Sequence, residues 1–74
     1  MTYQTETMMQ WSEQVLSSIY WSDVHSVWKW TVSRRSDGTW SRWQQGESFT
    51  FRGAAVATAE AYVDLAEIEG IPLF

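Results

Sequence analysis

The sequence predicts a small α+β domain with the element order α-β-β-β-α, in which a three-stranded antiparallel meander has both helices on one face. Three observations predict this fold. Apolar residues recur every three or four positions near the start, alternate with polar residues in the middle, and return to helical spacing near the end. A chain of 74 residues has room for one such core, so residues 1–74 are expected to form a single domain.

The first predicted element is a helix at about residues 5–20. Its opposite arc is polar, and Thr5 or Thr7 is placed to cap its start. The apolar residues of this segment follow the helical spacing of three and four. They are Met8, Trp11, Val15 and Ile19.

A strand is predicted at about residues 27–35, because apolar and polar side chains alternate there and β-forming residues are frequent. The alternation places Trp28 and Trp30 on one face and Lys29 and Arg35 on the other. The dipeptide Asp37-Gly38 follows, and it predicts a tight hairpin turn because such turns require positive φ angles.

Two more strands are predicted at about residues 39–45 and 48–52, with Gly46 opening a turn or bulge between them. Trp40 and Trp43 are three positions apart, so in a regular strand their side chains point to opposite faces. One of them is therefore exposed, unless a bulge turns it inward. Four aromatic residues are expected to face the helices. They are Trp28, Trp30, Phe49 and Phe51.

The second helix is predicted at about residues 54–69, where alanine is frequent and small side chains allow close approach to the sheet. Gly70, followed by Ile71 and Pro72, is a helix stop signal. The apolar tail at residues 71–74 is expected either to fold back over an open edge of the core or, if exposed, to be a docking peptide.

The charges divide the chain into acidic and basic parts, although the net charge is −4. All five basic residues lie in the predicted sheet, and both predicted helices carry acidic residues only. On the second helix, Glu60, Asp64 and Glu67 are spaced to form a row on one face. This acidic row fits a basic groove on a nucleic-acid-binding protein, and it also fits an ordinary solvated helix face.

The predicted sheet offers a second candidate surface on the face away from the helices. Arginine, lysine and an exposed tryptophan suit contacts with phosphates and stacking with bases. The same polar residues also suit an open sheet that faces only water. The candidate nucleic-acid face comprises Lys29, Arg35, Arg42, Arg52, Trp40 and Trp43.

Catalytic and metal chemistry find little support in the sequence. The chain has no cysteine, and its glycines are too dispersed for a phosphate-binding loop. If the backbone there is extended, the single histidine, His25, shares a face with Asp23 and forms a weak metal or acid–base pair. The preferred interpretation is that His25 is a turn residue. We therefore expect no enzyme, no cofactor and no metal site. No segment predicts a membrane span or a signal peptide, and a cytoplasmic location is expected.

Residues 28–70 resemble the three-stranded sheet plus helix of plant AP2-type and phage-integrase arm-binding domains. The resemblance rests on WKWTVSRR, the Asp-Gly turn, WSRW, and the alanine-rich AAVATAEAYVDLAEIEG. It implies a nucleic-acid-binding sheet. The predicted element order also resembles that of double-stranded-RNA-binding domains, but Ala54, Ala55 and Val56 stand where those domains carry lysines.

In size, acidic charge and composition, the chain is similar to small phage-encoded inhibitors of host defence, anti-CRISPR proteins in particular. This resemblance implies a non-enzymatic, DNA-mimicking inhibitor in the host cytoplasm that blocks a nucleic-acid-binding protein complex. The alternatives are a nucleic-acid-binding domain and a structural or oligomeric module, as a monomer or homodimer. Under the inhibitor hypothesis the partner-binding residues are Glu60, Asp64, Glu67 and Glu13.

Overall fold

A computed structural model describes residues 6–70, which form a four-stranded antiparallel sheet followed by one helix. The strands lie side by side in chain order. The predicted order α-β-β-β-α is therefore wrong: the described residues show β-β-β-β-α, with four strands instead of three and one helix instead of two. The elements are β1 (Glu6–Ser12), β2 (Val15–Ser22), β3 (Val27–Ser36), β4 (Thr39–Ser48) and α1 (Phe51–Glu69).

A β-hairpin, β1–β2, occupies the segment predicted as the first helix, 5–20, of which residue 5 lies outside the described range. The misleading signal is the spacing of Trp11, Val15 and Ile19 by four, because this spacing fits a period of two as well as a helix. The β-branched and aromatic residues of β2 favour a strand, and its serines disfavour a helix interior. Pairing with β3 along the whole length of β2 then decides the outcome.

The second hairpin, β3–β4, turns at Asp37 and Gly38, as the sequence predicts. Their φ angles are 53° and 79°, and positive values at both positions are what a type I′ turn requires. The strand predicted at 27–35 lies inside β3. β4 runs without interruption through Gly46, so the predicted turn there is wrong.

Gly46 instead provides room for a tryptophan. Trp30 lies opposite Gly46 in the register of β3 and β4. A Cβ atom at Gly46 would lie 2.6 Å from Cζ2 of Trp30, well inside contact distance. The indole thus packs directly on the backbone of β4, and any larger residue at this position must displace it.

The predicted third strand at 48–52 is also wrong, because α1 begins within it at Phe51. Thr50 caps the helix: its Oγ1 accepts a hydrogen bond from the backbone N–H of Gly53 at 2.9 Å. Phe49 does not face the helix, since it is 89% exposed, whereas Phe51 meets the ring of Trp28 edge-on at 5.2 Å.

The helix α1 contains the second predicted helix, 54–69, and starts three residues before it. Gly70 ends it in the left-handed conformation and donates its N–H to the carbonyl of Ala66. The tail predicted at 71–74 lies outside the described residues.

The core lies between α1 and the sheet. The helix packs mainly on β3 and also contacts β2 and β4. Trp11 reaches the helix from the edge strand β1: its ring stacks on Tyr62 at 5.2 Å, and its Nε1 donates to the buried Ser17 Oγ at 2.9 Å. Trp30 and Trp43 also pack against the core. The buried residues at its centre are Val15, Val32, Ala61, Tyr62 and Leu65.

Candidate nucleic-acid interface

The side of the sheet opposite α1 is covered by no other element among residues 6–70, and is termed the open face. Alternation along β3 points Val32 toward the helix and its neighbours Thr31 and Ser33 toward the open face. Antiparallel partners share a face, so the pairing of β3 with β4 defines most of this surface. The open-face pairs are Lys29 with Glu47, Thr31 with Gln45, Ser33 with Arg42, and Arg35 with Trp40.

A β-bulge separates the two tryptophans that the sequence left ambiguous. The register shifts between Val32 and Ser33, because Trp43 is an extra residue on β4. Trp40 consequently lies on the open face and is 41% exposed, while Trp43 packs against the core. The buried Nε1 of Trp43 has no hydrogen-bond partner among the described residues. Trp43 therefore does not contribute to the predicted nucleic-acid face.

The five basic residues divide into two groups. Lys29, Arg35 and Arg42 lie together on the open face. Arg34 lies on the helix side of β3, where its guanidinium pairs with the carboxylate of Glu69 near the end of α1. Arg52 is exposed in the first turn of α1, so the structure places it away from the open face.

A groove of about 480 Å³ crosses the open face from β2 to β4. This volume is within the usual range of small-molecule sites. On its β4 side, Arg42 Nη1 donates to Gln45 Oε1 at 2.8 Å, and Lys29 Nζ lies 3.8 Å from Glu47 Oε1. Six of the side chains that line the groove are those of Tyr20, Lys29, Thr31, Arg42, Gln45 and Glu47.

Sequence reasoning missed Tyr20, because this residue fell in the predicted first helix. In β2 it lies opposite Lys29 and points to the open face, since its neighbours Ile19 and Trp21 alternate to the other side. If Val15, Ser17 and Ile19 had been taken as one face of a strand, Tyr20 would have been placed on the opposite face.

The acidic row of Glu60, Asp64 and Glu67 is exposed on α1, because the helix buries a different set of residues against the sheet. Glu60 and Asp64 flank Val63, which is 38% exposed. Glu13 is not on the helix: it lies in the β1–β2 turn, where it lines a small depression with Arg35 and Asp37. The row therefore consists of three carboxylates on α1.

His25 and Asp23 do not pair with each other in the β2–β3 turn. Asp23 accepts a hydrogen bond from Trp21 Nε1 at 2.8 Å, and the backbone N–H of His25 donates to Ser22 Oγ at 3.3 Å. His25 is exposed. The turn thus uses the Asp23 side chain and the His25 backbone for local hydrogen bonds, and the His25 ring lies beside the same hydroxyl, with Nδ1 at 3.4 Å from Ser22 Oγ, as the turn interpretation of His25 predicts.

Comparison with models of protein families, with curated proteins and with solved structures found no match to this chain. The resemblances to AP2-type domains and to anti-CRISPR proteins remain predictions from sequence. Within residues 6–70, no helix has the length and apolar character that spanning a membrane requires.

Proposed function

We propose that the open face binds single-stranded nucleic acid. One observation carries this proposal: three cations, Lys29, Arg35 and Arg42, share the open face with two aromatic side chains, Tyr20 and Trp40. Cations contact phosphates, and exposed aromatic rings stack with bases that are not already paired. The chain as a whole is acidic, but on the strands of the open face three cations outnumber the two carboxylates, Glu6 and Glu47.

The spacing of the cations supports contact with several nucleotides. Consecutive same-face residues of a strand are about 6.6 to 6.8 Å apart, so Lys29 and Arg35 lie roughly 20 Å from each other along β3. Arg42 lies between them on the neighbouring strand, opposite Ser33. The three charges thus follow a line across the face, with the ring of Trp40 at one end and that of Tyr20 near the other.

The architecture favours a single strand over a duplex. Four strands spaced about 4.8 Å apart are wider than the roughly 12 Å major groove, which admits a helix or a two-stranded ribbon. The helix is no better suited, because the exposed carboxylates of Glu60, Asp64 and Glu67 repel phosphates. An unpaired strand can instead lie across the sheet with its bases against the rings.

The test is a titration with short single-stranded DNA and RNA, followed by tryptophan fluorescence at several salt concentrations. Phosphate contacts by Arg35 and Arg42, with Lys29 partly neutralised by Glu47, predict a log–log salt slope of about −1.4, and a full third contact by Lys29 would bring it to about −2. We expect Arg42→Ala to weaken binding by about ten- to a hundredfold, since a charged hydrogen bond contributes roughly 1.5 to 3 kcal/mol.

The matched control is Arg52→Ala, which removes the same charge from α1 and should leave the affinity nearly unchanged. Equal losses in the two variants would show that net charge alone governs binding. The absence of binding even at low salt would contradict the proposal outright.

A second candidate function rests on the acidic row. Glu60 and Asp64 flank Val63 around a shallow surface pocket of about 350 Å³, so carboxylates and an apolar contact occur together. This combination suits a protein partner with a basic groove, as in an anti-CRISPR-like inhibitor that blocks a nucleic-acid-binding complex.

Charge reversal on α1 separates the inhibitor hypothesis from the proposal that the open face binds nucleic acid. Glu60→Lys with Asp64→Lys should abolish inhibition of a nucleic-acid-binding effector complex and leave the fold intact. Glu13→Lys, in the β1–β2 turn, is the control. Unchanged inhibition in the double variant would rule out the acidic row.

A further inference from the structure

Glu47 is an unexpected residue on a surface for phosphates. Its carboxylate lies on the groove wall beside Lys29, with Oε1 at 3.8 Å from Nζ. A phosphate placed there would be repelled by Glu47, and Lys29 is already partly neutralised by it. This end of the groove is therefore chemically suited to a neutral group that offers both donors and acceptors.

We propose that this end of the groove binds a guanine base of the strand, an inference that rests on the proposed function of the open face. The Watson–Crick edge of guanine presents the N1–H and N2–H donors side by side, next to the O6 acceptor. The two oxygens of Glu47 accept from both donors, and Lys29 donates to O6. The ring of Tyr20, which lines the same groove, provides the apolar contact.

The other bases satisfy this pair of side chains less well. The edges of adenine and cytosine place a ring-nitrogen acceptor beside the amino group, so the second oxygen of Glu47 meets a lone pair. Uracil and thymine offer one N–H between two carbonyl acceptors. Guanine alone gives the carboxylate two adjacent donors, and a well-placed bidentate contact supplies discrimination between bases.

The two remaining cations of the open face, Arg35 and Arg42, then contact phosphates and not the base. Arg42 lines the same groove two open-face pairs along from Glu47, and Arg35 lies one pair farther, with Ser33 and Trp40 as their respective cross-strand partners. They contact the phosphates that flank the bound base, and Trp40 stacks with a neighbouring base. Base recognition and phosphate contact thus occupy different ends of one surface.

The experiment compares short thymidine strands that carry guanine, adenine, cytosine or thymine at the central position. We expect the guanine strand to bind the wild-type protein about tenfold more tightly than the others. The same order should hold for uridine strands of RNA, because no contact to the 2′-hydroxyl is invoked.

Two isosteric variants make the test specific. Glu47→Gln should abolish the guanine preference, whereas Glu6→Gln should retain it. Both remove one negative charge from the open face, since Glu6 lies there opposite Tyr20. Any general gain in affinity from lower repulsion is therefore common to the two variants. Lys29→Met, which keeps a side chain of similar length but loses the donor to O6, should weaken the preference in part.

The outcomes separate this inference from the proposed function. If all strands bind equally, or if Glu6→Gln loses the preference as Glu47→Gln does, the guanine site is overturned while nucleic-acid binding stands. If no strand binds, both are overturned. Thermal unfolding of each variant shows that the compared proteins are folded.

Discussion

The two faces of the sheet use the same strands for different purposes. The face toward α1 holds Val15 and Val32 against Leu65, all three without solvent exposure, and its buried hydroxyl, Ser17, is hydrogen-bonded by Trp11. The open face has serine, threonine and charged side chains, among which Lys29 pairs with Glu47 and Arg42 with Gln45 on the sheet itself. Stability is thus concentrated on one side, which leaves the other side free to bind.

The tryptophans show the same division. Trp11, Trp30 and Trp43 pack against the core, whereas Trp40 lies on the open face. The same residue type therefore packs in a small core on one side of the sheet and exposes its ring on the other, as the proposed stacking with bases requires. Substitutions on the two faces should separate these two roles.

The largest effect is expected for Leu65→Ala on the helix side. Leu65 is fully buried at the centre of the core, so its truncation should lower the free energy of unfolding by about 2 to 5 kcal/mol. Leu16→Ala on the open face, where the residue is only half-buried, should cost much less. Urea denaturation followed by fluorescence measures both, and similar losses would remove the distinction between the faces.

A smaller loss is expected for Gly46→Ala, because the new methyl group would collide with the indole of Trp30. Overpacking of this kind costs about 1 to 3 kcal/mol. In a Trp30→Leu background the cost should largely disappear, since the colliding ring is absent. A double-mutant cycle in urea measures this coupling, and an unchanged cost would show that Trp30 is not the obstacle.

Trp11→Phe and Trp43→Phe form a matched pair that compares a satisfied indole with an unsatisfied one. The first leaves the buried Ser17 hydroxyl without its donor, and the second removes a buried N–H that has no partner in the described part of the chain. Trp11→Phe should therefore be more destabilising by about 1 kcal/mol or more. Equal unfolding midpoints and slopes would contradict the hydrogen bond between Trp11 and Ser17.

The smallest effect on stability per substitution is expected for alanine at Lys29, Arg35 and Arg42, introduced together. Each lies on the open face, and the Lys29–Glu47 pair is solvent-accessible, so each change should shift the unfolding free energy by only about 0.5 kcal/mol. Nucleic-acid binding should nevertheless be lost. A large loss of stability in the triple variant would mean that the cations support the fold itself.

The sequence predicts some elements well because only one structure fits their pattern. Strict alternation over 27–35, the Asp37-Gly38 pair and the alanine-rich segment before Gly70 all coincide with β3, its turn and α1. The first hairpin was missed because a spacing of four fits both a helix and a strand. What decides between them is the pairing of β2 with β3, which joins residues far apart in sequence, as in Val15 with Arg34.

The candidate site was predictable to a similar extent. Alternation in β3 places Lys29 and Arg35 on one face without any structural knowledge. The positions of Trp40 and Trp43 depend on a bulge, and no local signal fixes where a bulge lies. Arg52 was misplaced because Phe49 to Phe51 alternates like a strand, whereas Thr50 in fact caps the helix.

The most direct test of the account is the effect of a short single strand on the amide and indole N–H signals of the isotopically labelled protein. The account predicts shifts at Thr31, Ser33 and Arg42 and at the indole of Trp40, with the indole of Trp11 unchanged behind the sheet. Shifts centred on Glu60 and Asp64, or no shifts at saturating strand concentration, would contradict the assignment of binding to the open face.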